Sequence, residues 1–116
     1  FFFYKIYAVN SVEDYGKCEK FLLLLEENYF KEKEVDFYAE NLGLSKGHLN
    51  LLLRKKTGRT IRSHIDERII TESKRLLCKT DLSVYEIAVR MGFNSLAAFS
   101  KLFKRVTGVS PSKFRK

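Results

Sequence analysis

The stretch SVYEIAVRMGFNSLAAFSKLFKRVTG, residues 83–108, decides how the chain is read. Ser83 followed three residues later by Glu86 is a capping box, which opens a short helix. Gly92 stops that helix, because glycine takes the left-handed backbone conformation without steric cost. Asn94 or Ser95 then begins a longer helix, with Phe99, Leu102 and Phe103 on one side, and Gly108 ends it. Ala88, four residues before Gly92, is small enough for the second helix to cross close to the first. Short helix, tight turn and longer helix together make the helix-turn-helix pattern.

That pattern occurs twice. Residues 36–58, DFYAENLGLSKGHLNLLLRKKTG, overlay on the first stretch: at an offset of 49, Ala39 falls on Ala88, Gly43 on Gly92 and Leu44 on Phe93. After one inserted residue the offset is 50, and Ser45 falls on Ser95, Leu49 on Phe99, Leu53 on Phe103, Arg54 on Lys104, Thr57 on Thr107 and Gly58 on Gly108. A helical wheel separates the faces of each longer helix. In the first copy Leu49, Leu52 and Leu53 share the buried side, and Gly47, Asn50, Leu51 and Arg54 point away. In the second, Phe99, Leu102 and Phe103 are buried, and Ala97, Ser100, Lys101 and Lys104 point away. The outward sets correspond pairwise at the offset of 50.

Outward from the repeat, the punctuation stays helical. Ser11 with Asp14 starts a first amphipathic helix through Cys18, Phe21, Leu25 and Tyr29. Asp36 is placed to cap the short helix of the first copy. Thr60 opens a long helix through Ile61, Ile65, Ile69, Leu76 and Leu77, ending near Thr80. Ser110 before Pro111 sets a cap and a proline at the first helical position, so a short helix closes the chain. The expected fold is all-α: seven helices, with two helix-turn-helix subdomains, about 36–58 and about 83–108, joined by a linker helix at about 60–80. The domain covers residues 16–116. Residues 1–15, opening with the β-prone aromatic FFFYKIYAVN, read as a tail or linker from an upstream region.

Composition narrows the function. The chain has 116 residues, 45% hydrophobic and 31% charged, a globular profile for one domain. A domain of this size buries roughly two-thirds of its unfolded surface and needs no metal or disulfide staple. No apolar run approaches the roughly 20 residues of a membrane helix, and no secretory signal stands at the start. Cys18 and Cys78 lie far apart in no metal-ligand spacing, so a reducing, cytoplasmic setting is expected. The formal charge is +8. Residues 35–116 hold 17 Lys/Arg against 7 Asp/Glu, or +10, whereas residues 1–34 hold 5 against 7, or −2. Such a balance favours a polyanionic partner, nucleic acid before an anionic membrane, with simple solubility as the alternative. No catalytic, cofactor-binding or metal-binding set is found. The only histidines, His48 and His64, have no nucleophile at a meaningful spacing, and there is no phosphate loop or carboxylate pair.

The second copy resembles the DNA-binding domain of AraC-type (AraC/XylS) transcriptional regulators. The resemblance rests on Ile87-Ala88, Gly92-Phe93-Asn94-Ser95, Phe99-Ser100-Lys101-Leu102-Phe103-Lys104-Arg105, Gly108, Ser110-Pro111 and Phe114-Arg115. Glu72 to Leu77 are similar to that family's linker, and together the coverage is roughly residues 17–116. The resemblance implies a non-enzymatic transcription regulator, usually an activator, with recognition helices in successive major grooves on one face of double-stranded DNA. It implies RNA polymerase as a candidate second partner, no cofactor and no membrane. It also implies a separate sensing region upstream that this sequence does not include.

A helix fits the major groove, and two such helices on successive turns of B-DNA sit about 34 Å apart. The candidate DNA-binding residues are Ser45, Lys46, Gly47, Asn50, Leu51 and Arg54 in the first unit. In the second they are Asn94, Ser95, Leu96, Ala97, Ser100, Lys101 and Lys104. Asn50 has the chemistry to pair with adenine, Arg54 or Lys101 with guanine, and Leu51 or Ala97 to pack on thymine methyls. Ser45, Asn94 and Ser95 stand at helix N-termini, where amides and hydroxyls hold phosphate. Lys55, Lys56, Arg59, Lys104 and Arg105 suit phosphate contacts or a solvated rim. Family members often carry Arg where Leu51 stands, which implies weaker base discrimination by the first helix. The rival is a basic helical protein-interaction module binding an acidic partner or RNA.

Overall fold

A computed structural model describes residues 12–116, with side chains described from residue 16. The aromatic opening stretch and the helix start expected at Ser11 lie outside the described residues. Among those residues the fold is all-helical, without strands: α1 Val12–Asn28, α2 Val35–Asn41, α3 Lys46–Thr57, α4 Ile61–Lys79, α5 Val84–Arg90, α6 Leu96–Thr107 and α7 Pro111–Arg115. No described helix is long and apolar enough to cross a membrane. The chain forms two compact units. One holds α1, α2, α3 and the start of α4 to Ile65; the other holds Tyr29–Glu32 and Asp66–Lys116.

In the first unit Phe21 of α1 is fully buried, with its ring edge-on to Tyr38 at 5.7 Å and to His64 at 5.6 Å. Leu49, Leu52 and Leu53 of α3 complete this core, as the wheel requires. Each such burial contributes about 1.5–3 kcal/mol. Lys17 Nζ donates to the Leu42 carbonyl at 2.8 Å, tying α1 to the end of α2.

In the second unit a ladder of aromatic rings forms the core. Phe93 meets Phe99 at 5.5 Å, Phe99 meets Phe103 at 6.0 Å, and Phe103 meets Phe114 of α7 at 5.5 Å. Ser73, fully buried in the apolar face of α4, donates to the Ile69 carbonyl at 2.7 Å, so burial leaves its hydroxyl satisfied. Arg115 from α7 donates Nε to the Leu77 carbonyl at 3.1 Å, supplying an acceptor group near the end of α4 with a cationic donor.

Several local expectations are corrected or narrowed. Asp36 does not cap α2. The helix already includes Val35, Glu34 takes the cap position without a side-chain bond, and Asp36 lies in the first turn, where its charge favours the helix dipole. Leu102 is half-buried rather than buried, because Phe99 and Phe103 fill the center of the α6 face. Ser95, and not Asn94, is the cap of α6. Helix α1 is described from Val12 onward.

Candidate nucleic-acid interface

The two corners are built alike down to their backbone hydrogen bonds. The Leu44 amide donates to the Ala39 carbonyl at 3.0 Å, and the Phe93 amide donates to that of Ala88 at 3.0 Å. Gly43 and Gly92 carry φ of 71° and 82°, the left-handed conformation that lets the chain leave the first helix and start the second. Ser45 Oγ accepts from the His48 amide at 3.1 Å, and Ser95 Oγ accepts from the Ala98 amide at 3.1 Å. At the far end Thr57 and Thr107 each donate a hydroxyl back to the carbonyl four residues earlier, both at 2.8 Å. The one inserted residue, Asn94, lengthens the second turn without disturbing either end.

On α3, Lys46, Gly47, Leu51 and Arg54 are exposed, with Ser45 just ahead of them. On α6, Leu96, Ala97, Lys101 and Lys104 are exposed, together with Asn94 and Ser95 in the turn. Asn50 and Ser100 are half-buried at the margin of their faces. Each unit therefore exposes most of its expected residues on, or just ahead of, one helix. Neither α3 nor α6 contains an acidic residue, so the positive end of each helix dipole is uncompensated within its own first turn. Such a surface attracts phosphate oxygens.

Sequence reasoning missed the side chains that structure has engaged elsewhere. Asn50 Oδ1 accepts the Ile61 amide of α4 at 2.8 Å. Arg105 lies 3.1 Å from the Asp66 carboxylate, Lys56 lies 3.5 Å from Glu19, and Arg59 Nε donates to the Ser63 hydroxyl at 3.3 Å. Three of the five rim cations are thus tied to their own unit. Lys55 stays exposed. Lys46 pairs with Asp36 at 3.4 Å, but both side chains are more than half exposed, and such a pair is weak and easily exchanged. His64 shares a 2.8 Å hydrogen bond with Thr57 Oγ1 inside the first unit, a packing role.

A helix-turn-helix domain family model matches residues 38–116, well over half of the chain. The chain belongs to the AraC-type helix-turn-helix family. It is 35% identical over 94 residues to the HTH-type transcriptional activator AarP of Providencia stuartii, covering 81% of this chain and 70% of that protein. It is 38% identical over 93 residues to the Msm operon regulatory protein of Streptococcus mutans, covering 80% of this chain but only 34% of that one. This AraC-type chain therefore spans about a third of one relative and most of the other. Its fold is similar to the solved DNA-binding domain of the global transcriptional factor AdpA bound to a target DNA. The TM-score is 0.76 at 26% identity, over 84% of this chain and 88% of that one.

Proposed function

We propose that this domain binds double-stranded DNA sequence-specifically, laying α3 and α6 in successive major grooves, and that it regulates transcription, in the activating sense. The observation that carries this reading is the duplicated corner, which twice presents an exposed helix face with basic residues and no carboxylate. Arg54, Leu51 and Gly47 in α3, and Ala97, Ser100, Lys101 and Lys104 in α6, form the base-facing set. The caps Ser45 and Ser95, with Lys46, Asn94 and Leu96, lie where each helix meets the sugar-phosphate backbone. Asn50 stands apart, since its carbonyl oxygen already serves Ile61. RNA polymerase is the second partner in this reading, the cytoplasm is the setting, and the role is binding rather than catalysis.

Selection of bound sites from a random duplex library tests the proposal. The expected result is a bipartite site with two conserved segments about one helical turn apart. Competition by random duplex, single strands and an acidic polymer completes the test. Equal competition by all three would replace the DNA reading with that of a general module for acidic partners.

A further inference from the structure

The correspondence between the two units continues beyond the helix-turn-helix itself, into the helix that follows each copy. At the same offset of 50, Thr60 matches Ser110 and His64 matches Phe114. Thr60 Oγ1 accepts from the Ser63 amide at 3.2 Å, as Ser110 Oγ accepts from the Lys113 amide at 3.2 Å. The His64 amide donates to the Thr60 carbonyl at 3.1 Å, and the Phe114 amide to that of Ser110 at 2.9 Å. The rings of His64 and Phe114 then each pack edge-on against a buried phenylalanine. The first turn of α4 thus does in its unit what α7 does in the other.

The two junctions differ at one point. The first helical residue is Ile61 in one and Pro111 in the other, and both are buried. An amide at that position has no acceptor within its own helix, and burying it unpaired is costly. In the first unit Asn50 Oδ1 reaches across from α3 and accepts the Ile61 amide at 2.8 Å. Proline has no amide proton, so the second unit has no donor to satisfy. The residue matching Asn50 there is Ser100, whose hydroxyl makes no hydrogen bond among the described residues.

We infer that Asn50 is a positioning residue, which pins recognition helix α3 to the start of α4 through the Ile61 amide, and that Pro111 releases its counterpart Ser100 to face DNA. A two-bond contact to adenine needs the carbonyl oxygen and the amide nitrogen together. The oxygen of Asn50 holds the Ile61 amide at 2.8 Å, which orients the side chain toward α4. The part concerning Ser100 rests on the DNA-binding reading above; the part concerning Asn50 is a property of the free protein.

The test combines amide hydrogen exchange on the free chain with site selection from a random duplex library, for the wild type, Asn50→Ala and Ser100→Ala. In Asn50→Ala the Ile61 amide should exchange about tenfold faster or more, the equivalent of one lost hydrogen bond. Its affinity should fall by the same factor on every duplex, with the preferred bases unchanged. Ser100→Ala should leave Ile61 exchange as in the wild type and alter preference at one base pair. Unchanged Ile61 exchange in Asn50→Ala, or loss of preference at a single base pair in that variant, would overturn the role of Asn50. If Asn50→Ala does not fold, Asn50→Asp decides, because it keeps the accepting oxygen and removes the side-chain donor. Retained Ile61 protection with unchanged base preference supports positioning, and a lost adenine preference overturns it. A wild type that binds no duplex defeats the DNA reading and the part concerning Ser100, while exchange at Ile61 still judges Asn50.

Discussion

Arg105 of α6 and Asp66 of α4 lie 3.1 Å apart, the carboxylate side chain only 10% exposed and the guanidinium side chain 62% exposed. The pair joins elements 39 residues apart in sequence and gives Arg105 an anionic partner within its own unit. A hydrogen bond to a charged group of this kind is worth about 1–2 kcal/mol, with solvent at the arginine reducing the upper end. Arg105→Ala should therefore lower urea-unfolding stability by about that amount. In an Asp66→Asn background the same change should cost less. Equal losses in both backgrounds would show that the pair is not coupled.

Lys101 is exposed at the center of the outward α6 face, with the chemistry to read guanine. Lys101→Ala should weaken binding by roughly 1–3 kcal/mol and relax preference at one base pair, measured by titration against a panel of single-substitution sites. A uniform loss across the panel, with the slope of log K against log salt reduced by about 0.9, would make Lys101 a phosphate contact instead.

Two glycines should respond to alanine with opposite signs. Gly43 has φ 71° with open space around a would-be β-carbon, so only backbone strain opposes a side chain there. Gly43→Ala should destabilise by about 1–2 kcal/mol, and Gly43→Asn by less. Gly47 lies inside α3, also with open space, and alanine there removes only backbone freedom. Gly47→Ala should stabilise the free domain by about 0.5–1 kcal/mol. Thermal melts of the three variants check both directions.

The capping box at α5 carries a pH signature. The Ser83 amide donates to Glu86 Oε1 at 2.8 Å, and the Glu86 amide donates to Ser83 Oγ at 3.0 Å. The bond from the Ser83 amide first, and then hydrogen bonding by the Ser83 side chain to the carboxylate, hold the Glu86 carboxyl below its ordinary value. Because the folded value is depressed, the contribution is complete above the ordinary carboxylate range and fades as pH falls through the lowered value. Glu86→Gln keeps an accepting oxygen without the titration, so it should flatten the acid side of a plot of melting temperature against pH. Ser83→Ala removes the cap itself and should cost about 1 kcal/mol at neutral pH. An acid limb unchanged in Glu86→Gln would assign the pH dependence to other carboxylates.

Short-range chemistry was legible in the sequence by itself. Ser45, Ser83, Ser95 and Ser110 cap helices, Gly43, Gly58, Gly92 and Gly108 take positive φ, and the duplicated spacing places Leu49 with Phe99 and Arg54 with Lys104. Caps, left-handed turns and apolar faces are set by residues within four positions of one another, so periodicity exposes them. The partners of Asn50, Lys56 and Arg105 were decided only by tertiary structure. A polar side chain at the margin of an outward face looks the same in sequence whether solvent, DNA or a distant amide awaits it. Only packing brings Ile61 to Asn50 and Asp66 to Arg105, and so determines which polar groups are spent on the fold and which remain for a partner.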